Sequence, residues 1–402
     1  MKYDFTSVID RAGHDALAVE GLGTAPGFSP MKPEEGFDII PMWVADMNFP
    51  APECITGAIR GRLDHPVFGY FMPRQEYFDA IIGWQQRRNR VTGLEEKHIG
   101  YENGVLGGVV SAANVLCAPG EEILVNSPTY VGFTNAMANA GFRLLGSPMV
   151  RDHNGTYRMD YADMEEKIIS HNIHCAILCS PHNPCGRVWE KWELEEAMEL
   201  YKKHNVFVIS DEIWSDLTLP GFTHIPTQSV SEDAKQRTIA FYAPSKTFNL
   251  AGLVGSYHII YNDYLRERVE RQSRTSHYNE MNVLSMYGLI GGFSKDGEEW
   301  LEELRTVLEK NLSYGKTFLE NEFPGIRCSK PEGTYMMFVD LTEWCAAKGK
   351  TLDEVLEAAW RVGVAIQDGR PFHGDCHTRM NFALPFSRVE EAMDRLKKYV
   401  LV

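Results

Sequence analysis

Polar and aromatic residues follow four apolar, strand-like runs of the sequence, and each has a side chain suited to catalysis. Tyr130 follows EEILVNS, Asn183 follows HCAILCS, Asp211 follows VFVIS, and the pair Ser245 and Lys246 follows RTIAFYA. In an open parallel sheet, ligands bind beyond the carboxyl ends of the strands, so these side chains are predicted to meet at one edge. Each alone has a simpler explanation: a turn for Asn183, a helix N-cap for Asp211, a surface lysine for Lys246.

A candidate phosphate-binding element comes before these residues in the chain. The run from Asn103 to Gly108 (NGVLGG) opens an apolar helical stretch, Val109 to Cys117. A glycine-bearing turn at a helix N-terminus presents free N–H groups and the positive end of the helix dipole to a phosphate. A phosphate site, an aromatic ring, an Asn, an Asp and a Lys, in this order on successive strand ends, form the set that pyridoxal phosphate chemistry requires.

Each of the four side chains would then have its own role toward this cofactor. The Lys246 amine would form the Schiff base, and the Asp211 carboxylate would keep the pyridine nitrogen protonated so that the ring can accept electrons. Asn183 would donate a hydrogen bond to the ring O3′, and Tyr130 would stack on the ring. The sequence therefore predicts a pyridoxal 5′-phosphate enzyme with Lys246, Tyr130 and Asp211 as catalytic residues.

The order of the elements that must position these residues indicates an α/β fold. Apolar strand-like runs alternate with helical ones such as Glu190 to Asn205, which is typical of a largely parallel sheet covered by helices. The C-terminal part begins with a long amphipathic helix, Glu298 to Asn321, and continues with short strands and helices, one strand being Val364 to Gln367. We predict a large cofactor domain of residues 50–290, and a smaller domain built from residues 1–49 and 291–402.

Composition excludes several classes of protein. With 402 residues, 44% hydrophobic and 24% charged, the chain can bury a large core. Its net charge of −15 argues against nucleic acid or an anionic membrane as the main partner, and no apolar run approaches the roughly 20 residues of a membrane span. Eight cysteines without a C-x-x-C motif, and no signal peptide, favour a cytoplasmic protein with reduced thiols.

A metal site is not predicted. His373 and His377 are four residues apart, which is the spacing of two ligands on one helix face. Pro371 and Gly374 make a helix unfavourable there, so the two imidazoles are not expected to converge on one ion.

Several motifs resemble those of fold-type I pyridoxal-phosphate enzymes of the class I/II aminotransferase superfamily. They are Pro181 to Arg187 (PHNPCGR), Ser210 to Ile213 (SDEI) and Ala243 to Leu253 (APSKTFNLAGL). Pro41 to Pro50 (PMWVADMNFP) and His377 to Phe382 (HTRMNF) resemble the MalY/PatB group of cystathionine β-lyases, which are carbon–sulfur lyases. The resemblance implies a mostly parallel seven-stranded sheet sandwiched by helices, plus a smaller α+β domain.

The resemblance also implies cofactor contacts outside the strand ends. The backbone N–H groups of Val105 and Leu106, together with Ser245, would hold the phosphate. Trp214 would lie near O3′, where a Tyr or His is usual in such enzymes; an indole N–H can donate a hydrogen bond but cannot titrate. Val254 stands where many aminotransferases have a phosphate-binding Arg, which the lyase group tends to lack.

Substrate and subunit contacts follow from the same resemblance. Arg379 would bind the substrate carboxylate through its planar guanidinium. Trp43 and Val44, with Ala45, would line the substrate side, although packing in the core is an equally good explanation for Trp43. Tyr70 matches the tyrosine that one subunit of such homodimers lends to the phosphate of the other.

Three functions remain open at this stage, and the first is favoured. A carbon–sulfur β-lyase would act on a small amino acid such as cystathionine or cysteine, and give a thiol, pyruvate and ammonia. An aminotransferase would use the same residues and release a keto acid, so the motifs do not separate the two. A non-catalytic regulator that binds the cofactor is disfavoured, because no basic helix-turn-helix segment precedes the core.

Overall fold

The structure is a computed structural model that describes residues 1–24, 29–276 and 279–402. Its strands are β1 (Ile40–Pro41), β2 (Ile99–Glu102), β3 (Glu122–Ser127), β4 (Arg143–Pro148), β5 (Val150–Arg151), β6 (Tyr157–Arg158), β7 (Cys175–Cys179), β8 (Phe207–Asp211), β9 (Thr238–Tyr242), β10 (Ser256–Ile259), β11 (Arg327–Cys328), β12 (Met336–Asp340), β13 (Val364–Ala365), β14 (Gln367–Asp368) and β15 (His377–Asn381).

The helices cover the sheets and connect the strands. They are α1 (Leu17–Glu20), α2 (Glu53–Leu63), α3 (Gln75–Asn89), α4 (Val105–Leu116), α5 (Val131–Asn139), α6 (Tyr161–Ser170), α7 (Lys191–Lys203), α8 (Glu232–Arg237), α9 (Pro244–Thr247), α10 (Asp263–Ser276), α11 (Val283–Gly292), α12 (Lys295–Glu322), α13 (Thr342–Lys348), α14 (Leu352–Arg361) and α15 (Phe386–Arg395). Among these described residues, no helix is long and apolar enough to cross a membrane.

A seven-stranded sheet forms the centre of the molecule, in the order β2-β10-β9-β8-β7-β3-β4. Only β10 runs antiparallel to its neighbours, and β7, β8 and β9 consist of buried residues apart from the first residue of β8. Strands that are apolar on both faces need helices on both sides, because each face must be removed from water. The predicted α/β fold with a mostly parallel seven-stranded sheet is therefore confirmed.

A second, four-stranded antiparallel sheet has the order β11-β12-β15-β14. The single strand predicted from Val364 to Gln367 is wrong, because the chain turns at Ile366, whose N–H donates to the Val364 carbonyl. As a result β13 pairs with β1, whereas β14 joins β15 and places Gln367 opposite Arg379.

Buried side chains from both sheets belong to one hydrophobic cluster, which includes Tyr242 and Ile259 of the large sheet and Met336 and Met380 of the small one. The boundaries of the two domains stay a prediction. Part of the predicted smaller domain, residues 25–28, lies outside the described residues.

Candidate active site

A cavity of about 210 Å³ lies at the carboxyl ends of four neighbouring parallel strands, β3, β7, β8 and β9. Every residue that the sequence predicted as a cofactor contact lines it, with the exception of Tyr70: Val105, Leu106, Tyr130, Asn183, Asp211, Trp214, Ser245 and Lys246. These side chains meet because the carboxyl ends of adjacent parallel strands share one edge of the sheet.

Lys246 lies on the short helix α9, directly after β9, and its amine points into the cavity. The amine donates a hydrogen bond of 2.8 Å to the carbonyl of Ala45. Burial lowers the pKa of Lys246 to about 8, and the positive charge of Arg379 acts in the same direction, while Asp46 and Asp211 oppose it. A substantial fraction of the amine is therefore neutral near pH 8, as a nucleophile or a proton acceptor requires.

Asp211 is the last residue of β8, and its carboxyl group is buried. Burial raises its pKa to about 7, although the N–H of Ile213 donates to Oδ1 at 3.1 Å and Lys246 also stabilises the charged form. Within the described part of the chain, no cation pairs with this carboxylate at salt-bridge distance. A buried carboxylate of this kind needs a positively charged or N–H partner.

The next residue, Glu212, is also buried but is fully hydrogen-bonded. Burial raises the pKa of Glu212, yet the contact with His224 and the hydrogen bond from Tyr242 lower it below its usual range. Ser210 and the backbone of Thr227 donate to the other carboxylate oxygen. Of the two adjacent carboxylates, Asp211 is thus the one that remains available to a ligand.

The predicted phosphate-binding element, Asn103 to Gly108, differs from the prediction in one respect: helix α4 begins at Val105 and not at Val109, so the turn before the helix consists of Asn103 and Gly104. Gly104 precedes α4 with a φ of 86°, a left-handed conformation that glycine adopts without strain. Val105 and Leu106, in the first turn of α4, line the cavity together with Ser245. The first N–H groups of a helix have no partner within the helix, so they can bind an anion there.

The ring of Tyr130 occupies its position because residue 132 is glycine. Tyr130 precedes α5, and a Cβ atom at Gly132 would lie 2.3 Å from a ring carbon of Tyr130. The ring lines the cavity and packs edge-on against Phe133 at a centroid distance of 5.4 Å. It is held as a flat apolar surface on one side of the cavity.

Arg379 lies on β15 of the small sheet and extends toward the large one. Its Nη1 donates to Asn183 Oδ1 at 3.2 Å, and its Nη2 donates to Gln367 Oε1 at 2.5 Å and to the Trp43 carbonyl at 3.1 Å. Its guanidinium carbon lies 4.3 Å from the ring centroid of Phe372, a cation–π distance. Burial lowers the pKa of Arg379 to about 10, so it remains charged at neutral pH. These contacts fix a buried cation beside Asn183.

Trp214 and Tyr335 form an aromatic wall. Their rings pack edge-on, with centroids 4.8 Å apart, and the Lys246 amine lies 5.7 Å from the centroid of Trp214. The Tyr335 hydroxyl donates to the Ala45 carbonyl at 2.9 Å, so this one carbonyl accepts from both Tyr335 and Lys246.

Three predicted residues lie away from the cavity. The indole of Trp43 is buried in the core and donates from Nε1 to the Ala18 carbonyl, so what Trp43 offers Arg379 is its backbone carbonyl. Val44 is half-buried, and its carbonyl accepts from Asn381. Tyr70 is fully exposed in the loop between α2 and α3. Roles for these three side chains stay predictions.

Sequence reasoning missed the residues that hold the site together. Asn249 lies inside the motif Ala243 to Leu253, but nothing in its spacing indicated a hydrogen-bonding role. Gln367 had no sequence signal, because its contact with Arg379 depends on the pairing of β14 with β15. No group of three His, Cys, Asp or Glu side chains in the described ranges could hold a metal ion.

Comparison with known proteins defines the class. The family model for aminotransferases of class I and II matches residues 44–396, so the chain belongs to this family. It is 33% identical over 362 residues to the cystathionine β-lyase PatB of Bacillus subtilis, covering 90% of this chain and 92% of PatB. It is 28% identical over 401 residues to the protein MalY of Escherichia coli, covering 97% of each. The crystal structure of the pyridoxal-phosphate-bound C-S lyase from Staphylococcus hominis superposes with a TM-score of 0.87, 31% identity and 98% coverage of both chains.

The family depends on pyridoxal phosphate, and the residues of this cavity fit that group. The unpaired carboxylate of Asp211 suits a protonated pyridine nitrogen, and the first turn of α4 suits a phosphate. The Tyr130 ring suits a planar heterocycle, and the Lys246 amine with its lowered pKa suits an aldehyde. All four groups face one cavity.

Proposed function

We propose that the protein is a pyridoxal-phosphate-dependent carbon–sulfur β-lyase. Its substrate would be a small amino acid with sulfur at Cβ, such as cystathionine or cysteine, and its products a thiol, pyruvate and ammonia. The observation that carries the proposal is the likeness to the cystathionine β-lyase PatB over 90% of the chain. The arrangement of three side chains supports it: Lys246 and Asp211 line one cavity, and Arg379 donates to Asn183 of the same cavity. Beta-elimination requires a base, an electron acceptor and a fixed carboxylate.

The cofactor would be held by residues at both ends of the cavity. The N–H groups of Val105 and Leu106, with Ser245, would bind its phosphate, and the Asp211 carboxylate would accept a hydrogen bond from its ring nitrogen. When bound, pyridoxal phosphate supplies an aldehyde that condenses with amines and a cationic ring that withdraws electrons from the substrate Cα.

Arg379 orients the substrate in this proposal. Its guanidinium is already held by Asn183, Gln367 and the Trp43 carbonyl, so it loses little freedom on binding a carboxylate. Its Nε is buried and has no hydrogen-bond partner in the described part of the chain, and therefore can donate to a carboxylate oxygen. The fixed carboxylate then holds Cα on the Lys246 side of the cavity.

Lys246 moves the proton at Cα. Its amine, with a pKa of about 8, takes this proton when neutral, and the electrons left at Cα expel the sulfur from Cβ. The Ala45 carbonyl accepts one N–H of the amine and so fixes the direction of its lone pair. The sulfur leaves as a thiolate, which takes up a proton, and one water hydrolyses the remaining enamine to pyruvate and ammonia.

The decisive experiment omits any keto acid. The purified protein with pyridoxal phosphate is incubated with cystathionine, and pyruvate and free thiol are measured. Steady production of both supports the lyase. Product formation only after a keto acid is added contradicts it and supports an aminotransferase, the alternative that the same residues also allow.

We further propose a homodimer in which Tyr70 binds the phosphate of the other subunit. The loop between α2 and α3 exposes Val67, Phe68, Tyr70 and Met72 in one short stretch, and contiguous exposed apolar side chains are typical of a covered surface. Light scattering should give a mass of about twice 45.6 kDa. A monomer at micromolar concentration would contradict this proposal.

All eight cysteines have free thiols, which supports a cytoplasmic location.

A further inference from the structure

One backbone segment contacts both of the residues that handle the substrate. In this linking segment, Met42 to Asn48, the carbonyl of Trp43 accepts from Arg379 at 3.1 Å, and the carbonyl of Ala45 accepts from Lys246 at 2.8 Å. Two residues of extended chain span at most about 7 Å. The position of the segment therefore sets the spacing between the guanidinium and the amine.

An asparagine binds the linking segment from the side of Lys246. Asn249 is three residues after Lys246; its Nδ2 donates to the Met47 carbonyl at 2.9 Å, and its Oδ1 accepts from the Met47 N–H at 3.0 Å. Its φ of 57° is left-handed, a conformation that Asn tolerates better than most residues. The side chain thus acts as a second peptide group that pairs with Met47.

A second asparagine binds the same segment from the side of Arg379. Asn381 is two residues after Arg379 on β15 and is completely buried. Its Nδ2 donates to the carbonyls of Val44, at 2.7 Å, and of Asp46, at 2.6 Å. These two carbonyls lie on either side of Ala45, the residue whose own carbonyl accepts from Lys246.

We propose that Asn249 and Asn381 are positioning residues that hold the linking segment so that Lys246 and Arg379 keep one fixed spacing. Each asparagine belongs to the element of one functional residue, but binds the segment that contacts both. Replacing either asparagine is therefore expected to affect both Lys246 and Arg379, and not only the functional residue on the same element. The inference rests on the proposed roles of Lys246 and Arg379.

Other contacts hold the segment at its two ends or by single side chains. The backbone N–H of Asn381 donates to the Met42 carbonyl at 2.8 Å, and the N–H of Asn48 donates to the Ala383 carbonyl at 2.9 Å. Tyr335 binds the segment at Ala45, and Arg11 forms an ion pair with the side chain of Asp46 at 2.6 Å. Neither of them lies on the element of Lys246 or Arg379. Only Asn249 and Asn381, among the described contacts of the segment, connect it through side-chain amides to α9 and its following turn, and to β15.

The test measures how replacing Asn249 affects Arg379, and how replacing Asn381 affects Lys246. Asn249→Gly removes the amide without straining the left-handed backbone, and Asn381→Leu removes the amide without adding charge. In the holoenzyme, Asn249→Gly is expected to weaken binding of propionate, an inert carboxylate, about 3- to 10-fold, the equivalent of about one hydrogen bond. The variant loses both hydrogen bonds to Met47 and so loosens the segment whose Trp43 carbonyl accepts from Arg379. Propionate binding is followed through the absorbance of the cofactor bound to Lys246.

Asn381→Leu is expected to move the pH midpoint for attachment of pyridoxal phosphate to Lys246 in the cofactor-free protein, by about half a unit or more, because it displaces the Ala45 carbonyl that accepts from the free amine. The charged groups that act on Lys246, namely Arg379, Asp46 and Asp211, are all retained in this variant. If Asn381→Leu does not fold, Asn381→Ser, which keeps one donor, is expected to show a smaller shift in the same pH titration.

Two matched controls separate positioning from general stability. Asn205→Gly makes the same change at another left-handed, exposed asparagine, with a φ of 54°. Asn311→Leu removes a buried amide that donates to two carbonyls, those of Phe382 and Leu384, outside the linking segment. Neither control should alter propionate affinity or the pH titration, even if Asn311→Leu lowers the melting temperature.

The outcomes distinguish this inference from the proposed function. Suppose that the wild-type protein binds the cofactor at Lys246 and cleaves cystathionine. If Asn249→Gly then changes only the pH titration, and Asn381→Leu changes only the propionate affinity, the positioning role is wrong and the lyase function stands. If the controls produce the same shifts as the test variants, the positioning role is also wrong. If the wild-type protein never attaches pyridoxal phosphate to Lys246, both the proposed function and the inference fail.

Discussion

Asn183 Oδ1 accepts a hydrogen bond of 3.2 Å from Arg379 Nη1, although the two residues are 196 positions apart in the chain. Asn183 follows β7 of the large sheet, and Arg379 lies on β15 of the small one. The bond brings the amide predicted to face the cofactor ring next to the cation predicted to bind the substrate carboxylate. In the proposed function, the two sheets would therefore define together where a substrate lies relative to the cofactor.

The first prediction concerns Arg379. Arg379→Lys should raise the KM for cystathionine about 10- to 100-fold and change kcat less, because an ammonium cannot reproduce the planar set of donors held by Asn183 and Gln367. Steady-state kinetics measure this. Arg361→Lys, at an exposed site on α14, is the control. A variant that loses only kcat would exclude carboxylate binding as the main role of Arg379.

The second prediction concerns Lys246. Lys246→Ala should lose pyruvate formation by at least about 10²- to 10⁴-fold, since a positioned proton transfer contributes this much, and should lose the absorbance of lysine-bound cofactor. Lys202→Ala, an exposed lysine on α7, should change neither. Activity that survives in Lys246→Ala would overturn the cofactor assignment as a whole.

The third prediction is that one substitution at Asp211 has opposite effects on cofactor binding and on the stability of the cofactor-free protein. Asp211→Asn should weaken pyridoxal phosphate binding about 10- to 100-fold, because it removes a charge-assisted hydrogen bond. The same change should stabilise the cofactor-free protein at pH 8 by about 2–4 kcal/mol, because the raised pKa of about 7 means that burial opposes the charged form. Urea unfolding of the cofactor-free protein measures the second effect.

The stabilisation expected from Asp211→Asn depends on pH, because it results from the raised pKa of the Asp211 carboxyl group. The folded state binds the Asp211 proton more tightly than the unfolded state, so the wild type loses stability as the pH rises from about 4 to 7. The gain from Asp211→Asn should shrink in the same range as the pH falls. Glu212→Gln is the contrast: the pKa of this carboxyl group lies below its usual range, and its two oxygens accept from Ser210 and Tyr242, so the amide should destabilise. Equal effects of both variants would contradict the prediction.

The fourth prediction concerns the space beside Tyr130. Gly132→Ala places a methyl group 2.3 Å from a carbon of the Tyr130 ring, so the ring must move. We expect weaker cofactor binding, by about 1–3 kcal/mol, in a fluorescence titration of the cofactor-free protein. Gly61→Ala, a helical glycine with open space around it, should leave binding unchanged and stabilise by up to about 1 kcal/mol. Unchanged binding in Gly132→Ala would show that the ring does not contact the cofactor.

Much of the large sheet and of its cavity was predictable from the sequence. The runs that became β3, β7, β8 and β9 are apolar and short, and their ends differ from the predicted ends by at most one residue. Such strands can only be buried, and parallel strands necessarily bring their carboxyl ends together. This is why the sequence alone placed Tyr130, Asn183, Asp211 and Lys246 at one edge of the sheet, and why the family resemblance pointed to the same residues.

The sequence by itself therefore determined the fold class, the family and most of the residues that line the cavity, because these depend on local apolar patterns and on motifs within single segments. Only the tertiary structure decided how Arg379 is held and what Trp43 does. Gln367 reaches Arg379 because the chain turns at Ile366, and Trp43 offers a carbonyl because its indole is packed in the core. Gln367 accepts through its side-chain Oε1 and Trp43 through a backbone carbonyl, which every residue has. Both contacts depend on how the strands pair and pack, so neither residue type nor spacing in the sequence indicates them.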